Sequence, residues 1–132
     1  MTTTAQRVAL IFGVVFIVVA LAGFFTDGGT HMGVEDPGLV FGLFPVNVLH
    51  NVVHLLFGVW GVAASRSWGG AKSYCRTGGI IYLVLTVLGF VTPDTFGLIP
   101  IGGNDIWLHA VLALALLYFG FTARDTRTAP AV

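Results

Sequence analysis

From Val8 to Thr26 the chain carries no charged side chain, and three more such stretches follow at 37–65, 77–93 and 106–123. A run of roughly 20 apolar residues is long enough to cross the hydrocarbon of a bilayer as a helix. A helix also closes its backbone hydrogen bonds within itself, as lipid demands. The reading is therefore all-α: a bundle of four transmembrane helices at about 7–25, 45–65, 74–92 and 104–122. Residues 1–6 and 126–132 are left as short tails around a single domain at 7–125. A charged fraction of 9% and a mean hydropathy of +0.92 exclude an ordinary soluble domain. Arg7 followed by an apolar run has the outline of a signal peptide, but no small-residue cleavage site precedes Asp27, so the run reads as a retained helix.

The cations orient the bundle. Arg7 precedes the first helix, Arg66, Lys72 and Arg76 lie around the second connection, and Arg124 and Arg127 follow the fourth helix. All fall on one side, while Asp27, Glu35, Asp36, Asp94 and Asp105 fall on the other. By the positive-inside bias both termini are cytoplasmic, and the loops 26–44 and 93–103 face outward. The formal net charge is zero, so no nucleic-acid partner is implied. The partner implied is the lipid bilayer, with a homo-oligomer or a larger membrane complex as the protein context. The single cysteine, Cys75, excludes an internal disulfide and reads as a packing residue.

The second and fourth helices begin alike. GLFPV at 42–46 matches GLIPI at 97–101, and carrying that offset forward places His50 on Asp105 and His54 on His109. The expectation is two parallel copies of a two-helix unit, related by an axis along the membrane normal.

Polar side chains interrupt the apolar pattern where lipid would exclude them. His50 and His54 are one turn apart on one helical face, and Asp105 and His109 repeat the spacing. Small residues, Gly58 and Gly61 below the first pair and Ala113 and Gly120 below the second, turn both faces toward other helices. A third inward stripe is Gly79, Tyr82, Thr86 and Gly89. Three imidazoles and a carboxylate from facing helices make a shell for zinc or another divalent transition metal, so His50, His54, Asp105 and His109 are the candidate ligands. Asn47, Asn51, Tyr82 and Asn104 are candidates to orient them, and His31, Glu35 and Asp36 in the outer loop to guide or complete the site. A second reading is a bis-histidine haem between His54 and His109. A third is structural: buried Asn and His lock helices together, with Asn104 as N-cap and Asp105 at the helix dipole. Gly28-Gly29 and Gly69-Gly70 read as turns. Transport ranks low because the inner halves of the spans are apolar. The chain holds no phosphate loop, nucleophile elbow or HExxH motif, so an enzyme is not expected.

FPVNVLHNVVHLLFGVWGVAASR, the helix start at Tyr74-Cys75-Arg76 and LIPIGGNDIWLH together resemble a family of small bacterial four-helix integral membrane proteins of unknown function. The resemblance covers about residues 5–125 and rests on the pattern FPVNxxHNxxHLxxG. It implies a multi-pass protein of the bacterial inner membrane. It implies no activity, substrate or ligand set.

Overall fold

The computed structural model describes residues 2–27 and 29–125. Gly28, Arg127 and the expected tail at 126–132 lie outside the described residues. The chain is mostly helical: α1 (Thr4–Phe24), α2 (Val48–Ala64), α3 (Trp68–Val91) and α4 (Asn104–Thr122). Three of the four, α1, α3 and α4, are long and apolar enough to cross a membrane, and α2 is a shorter apolar helix.

Local capping moves the helix starts away from those expected. Thr3 caps α1 in a reciprocal box: its Oγ1 accepts from the Gln6 amide, while Gln6 Oε1 accepts from the Thr3 amide. The helix thus begins at Thr4 rather than Arg7, and part of the expected N-terminal tail is helical. Ser67 caps α3, its Oγ accepting from the Gly70 amide at 3.0 Å. That places Gly69-Gly70 in the first helical turn, which corrects the turn reading. α2 starts at Val48 because Asn47 is its cap. At α4 the cap residue is Gly103, with φ 63°, and no side chain caps it. Asn104 is already helical, and its side-chain Nδ2 donates to the Leu43 carbonyl at 3.2 Å.

Residues before α2 form a feature the apolar pattern concealed. Strands β1 (Gly38–Val40) and β2 (Phe44–Val46) pair antiparallel, with Leu39 opposite Pro45. The turn between them runs through positive φ at Phe41 (54°) and Gly42 (70°). Pro45 has no amide hydrogen to donate, which a two-stranded ribbon tolerates because each strand is an edge. The all-α reading is therefore corrected to four helices plus this ribbon.

α1 packs chiefly on α2, and α3 on α4. Small residues allow backbone approach: a Cβ on Gly13 would lie 2.6 Å from the Val62 nitrogen, and one on Gly79 would lie 2.9 Å from the Leu117 nitrogen. Phe16, Tyr74, Cys75, Tyr82, Ala113 and Leu116 fill the centre, while Ile11, Val18, Leu56, Val87, Val111 and Leu114 are exposed on the outside. An apolar exterior around a partly polar interior is the inverse of a soluble domain.

The two ends differ in chemistry. Loops 25–47 and 92–103 form an acidic end, tied together by Asn47 Nδ2 donating to the Leu98 carbonyl at 2.8 Å. The opposite, basic end holds the start of α1 and the connection between α2 and α3, joined by Gln6 Nε2 donating to the Ser65 carbonyl at 2.9 Å. There Lys72 Nζ donates to the Ala123 carbonyl at 3.0 Å and Arg76 Nε to the Gly120 carbonyl at 2.8 Å. These bonds satisfy carbonyls that the end of α4 leaves open, where a helix favours cations.

Candidate metal centre

The site lies in the half of the bundle nearest the acidic end. Asn47 Oδ1 accepts from the His50 amide at 2.9 Å, which starts α2 and sets the height of His50. His50 then turns inward, and its Nδ1 lies 3.1 Å from the Pro45 carbonyl in β2. A carbonyl only accepts, so the hydrogen is on Nδ1. In the neutral ring Nε2 is therefore the lone-pair nitrogen, and it faces Asp105 Oδ2 at 3.7 Å. Both side chains are almost fully buried, at 4% and 3% exposure. Asp105 stands in the first turn of α4, where the helix dipole favours a carboxylate. One turn on, His109 completes the group: one ligand atom each from His50, Asp105 and His109 lie within 4.8 Å of one another.

His54 sits beside this triad, one turn below His50, with ring centroids 4.5 Å apart. Its other face stacks on Phe16 at 5.7 Å. Tyr82 approaches from α3, its ring 5.3 Å from that of His109. His50, His54, Tyr82 and His109 line a cavity of about 50 Å³, roofed by Thr95, Ile99 and Ile101 of the loop before α4. That space has room for one water or a bare ion. A porphyrin is larger than this space.

The remaining polar residues point elsewhere. Asn47 Nδ2 is spent on the Gly33 and Leu98 carbonyls. Asn51 follows His50 directly and so faces a different way, toward the end of α1 and the loop after it, where its Nδ2 donates to the Gly29 carbonyl at 2.9 Å. Asn104 bonds Leu43. His31, Glu35 and Asp36 stay in the loop between α1 and β1, with His31 Nδ1 3.6 Å from Asp36 Oδ2 and both side chains solvent-exposed. Of the candidate orienting residues, Tyr82 reaches the group with its ring and Asn47 holds the His50 backbone. Reading the sequence missed the Pro45 carbonyl, because nothing in the chain signals which backbone oxygen a histidine ring will meet.

Among the described residues, three buried polar atoms here have no hydrogen-bond partner: His54 Nδ1, His109 Nδ1 and Asp105 Oδ2. Native interiors rarely leave such atoms unmatched. Here imidazole nitrogens and a carboxylate oxygen, lone-pair donors in their unprotonated forms, belong to one buried cluster beside a small cavity. Ligands of a tetrahedral zinc at 2.0–2.1 Å lie roughly 3.4 Å apart. The triad is thus one modest side-chain adjustment from a ligand set, and the donor set fits a borderline divalent ion.

The family described as "Domain of unknown function (DUF4383)" matches residues 6–122. The chain belongs to that family. No curated protein matches the chain, and no solved structure does. Membership in DUF4383 assigns no chemistry to the buried group.

Proposed function

We propose that this is a four-span integral membrane protein whose His50, Asp105 and His109 hold a divalent transition metal, with His54 as the adjacent fourth candidate. One observation carries the reading. His50 Nε2 and Asp105 Oδ2, both acceptors once the Pro45 bond has fixed the His50 hydrogen, face each other at 3.7 Å in a buried site. Two buried acceptors in opposition require a cation or a proton between them. His109 in the same group, offering a second imidazole, favours a metal over a lone proton. The Pro45 carbonyl then holds the His50 ring as outer partners of metal-bound histidines do.

The protein is read as a multi-pass protein of the bacterial inner membrane. α2, with 17 residues, is about 26 Å long and stands at the short end of what spans a bilayer. The one-sided cations support cytoplasmic termini, which would put the metal group in the outer leaflet. The two-unit repeat is supported by the backbone. Phe41-Gly42 and Phe96-Gly97 stand at the 55-residue offset of the repeat, and all four have positive φ, at 54°, 70°, 59° and 83°.

The second reading is a structural subunit whose polar core fastens helices and loops. The Asn47 and Asn51 bonds to loop carbonyls favour it for those two residues. Elemental analysis of protein purified without a polyhistidine tag separates the readings. Roughly one transition-metal ion per chain, lost in His109→Ala, is expected. Metal-free protein that stays metal-free after exposure to zinc, iron and manganese salts would leave only the structural reading.

A further inference from the structure

α3 is longer than a bilayer needs. Its 24 residues extend about 36 Å, against a hydrocarbon thickness of about 30 Å. Counting back roughly 20 residues from Val91 places the hydrocarbon boundary near Lys72. At that level α3 carries a polar stripe beside the end of α4: Trp68, Lys72 and Arg76 on the row next to α4, and the exposed Gly69, Ser73 and Thr77 on the next, line an open pocket of about 370 Å³. Ala71, Tyr74 and Cys75, on the opposite face, are the buried ones. A polar stripe at membrane depth must find partners, because lipid tails offer none.

Among the described residues, the bundle satisfies the stripe only in part. Lys72 gives one hydrogen to the Ala123 carbonyl and Arg76 gives its Nε hydrogen to the Gly120 carbonyl. An ammonium has three donors and a guanidinium five, so both keep hydrogens for another acceptor. Their anchoring also fixes their place. The Lys72 ammonium stands 4.8 Å from the Trp68 ring centre and the Arg76 guanidinium 4.9 Å from that of Phe121. Two held cations, two hydroxyls and an interfacial indole around one groove match a phosphodiester with chains running along the helix.

We infer that the groove of Trp68, Lys72, Ser73, Arg76 and Thr77 is a binding site for the headgroup of an anionic phospholipid. The site rests on reading α3 as a span and is independent of the metal. Basic pockets at the cytoplasmic ends of spans are suited to such headgroups.

The test uses the full chain in detergent, with its melting midpoint followed against added phosphatidylglycerol, phosphatidylcholine or inorganic phosphate. Phosphatidylglycerol in about hundredfold excess over Kd should raise the midpoint by roughly 5–10 °C. Phosphatidylcholine and phosphate should not. The double change Lys72→Gln and Arg76→Gln should remove the response. Ser73→Leu, which fills the groove and leaves both cations and their α4 bonds in place, should remove it as well, so a misfolded double variant does not end the test. Equal responses to the two lipids, a response to phosphate alone, or an unchanged response in Ser73→Leu would overturn the inference. So would a lipid-free dimer that Ser73→Leu dissociates, because the groove would then belong to a second copy. Release of the chain from membranes by alkaline carbonate would instead refute the spanning reading.

Discussion

His50 meets a carbonyl that fixes its hydrogen at one ring nitrogen and, at the other, a carboxylate that its lone pair should avoid. The conflict makes a prediction at this one contact. Asp105→Asn replaces an acceptor oxygen with an NH₂ group that donates to His50 Nε2. Metal-free Asp105→Asn should therefore melt at or above the metal-free wild type, since a buried unsatisfied pair costs about 1–3 kcal/mol. Its metal affinity should fall, by an order of magnitude or more, because a ligating charge is lost. A variant that melts well below the metal-free parent would mean that the carboxylate is already satisfied. The same ligands must be deprotonated to bind, so affinity should fall as pH is lowered from about 8 to about 5. A metal titration at each pH measures it, and a flat profile would place the metal elsewhere. At this scale the sequence was partly legible. His50, Asp105 and His109 stood out because polar groups in an apolar helix have no other excuse. The grouping of Asn51 with them did not hold, because a residue one position along a helix points about 100° away.

Among the elements, the α1–α2 pair depends on Gly13. A methyl there would meet the Val62 nitrogen at 2.6 Å and the Gly58 oxygen at 2.9 Å, both backbone atoms that cannot rotate aside. Gly13→Ala should force the helices apart and destabilise the chain by about 1–3 kcal/mol, measured as a lower melting midpoint. Gly69→Ala, which meets nothing within 4 Å, is the matched control and should be neutral or slightly stabilising. Equal effects would mean that the close α1–α2 contact is not what Gly13 serves. The helices themselves were legible in the charge-free runs, since length and hydropathy decide a span without tertiary information. The β1–β2 ribbon was not. Its strands have three residues each, one containing Pro45, and they continue an apolar run that leads into α2. Gly69-Gly70 misled for a related reason: the cap at Ser67 decides where α3 begins, and paired glycines are compatible with a first helical turn once it is capped.

For the whole molecule, the cations argue orientation. A reporter active only in the cytoplasm, fused after residue 132, should be active, and the same reporter inserted after Asp36 should be silent. The reverse pattern would put the buried group in the inner leaflet. The group's larger consequence is for stability. It joins α2 to α4, which otherwise belong to different helix pairs, α1 with α2 and α3 with α4. An ion held there would tie the two halves together and stabilise the folded chain by about 2.7 kcal/mol at hundredfold excess over Kd. The deciding measurement is the melting midpoint of tag-free protein, stripped with chelator and then given Zn²⁺, Fe²⁺, Mn²⁺, Ni²⁺ or Cu²⁺ in turn. At least one ion should raise the wild-type midpoint by several degrees and leave His109→Ala unmoved. A wild-type midpoint that no ion moves would contradict the metal centre.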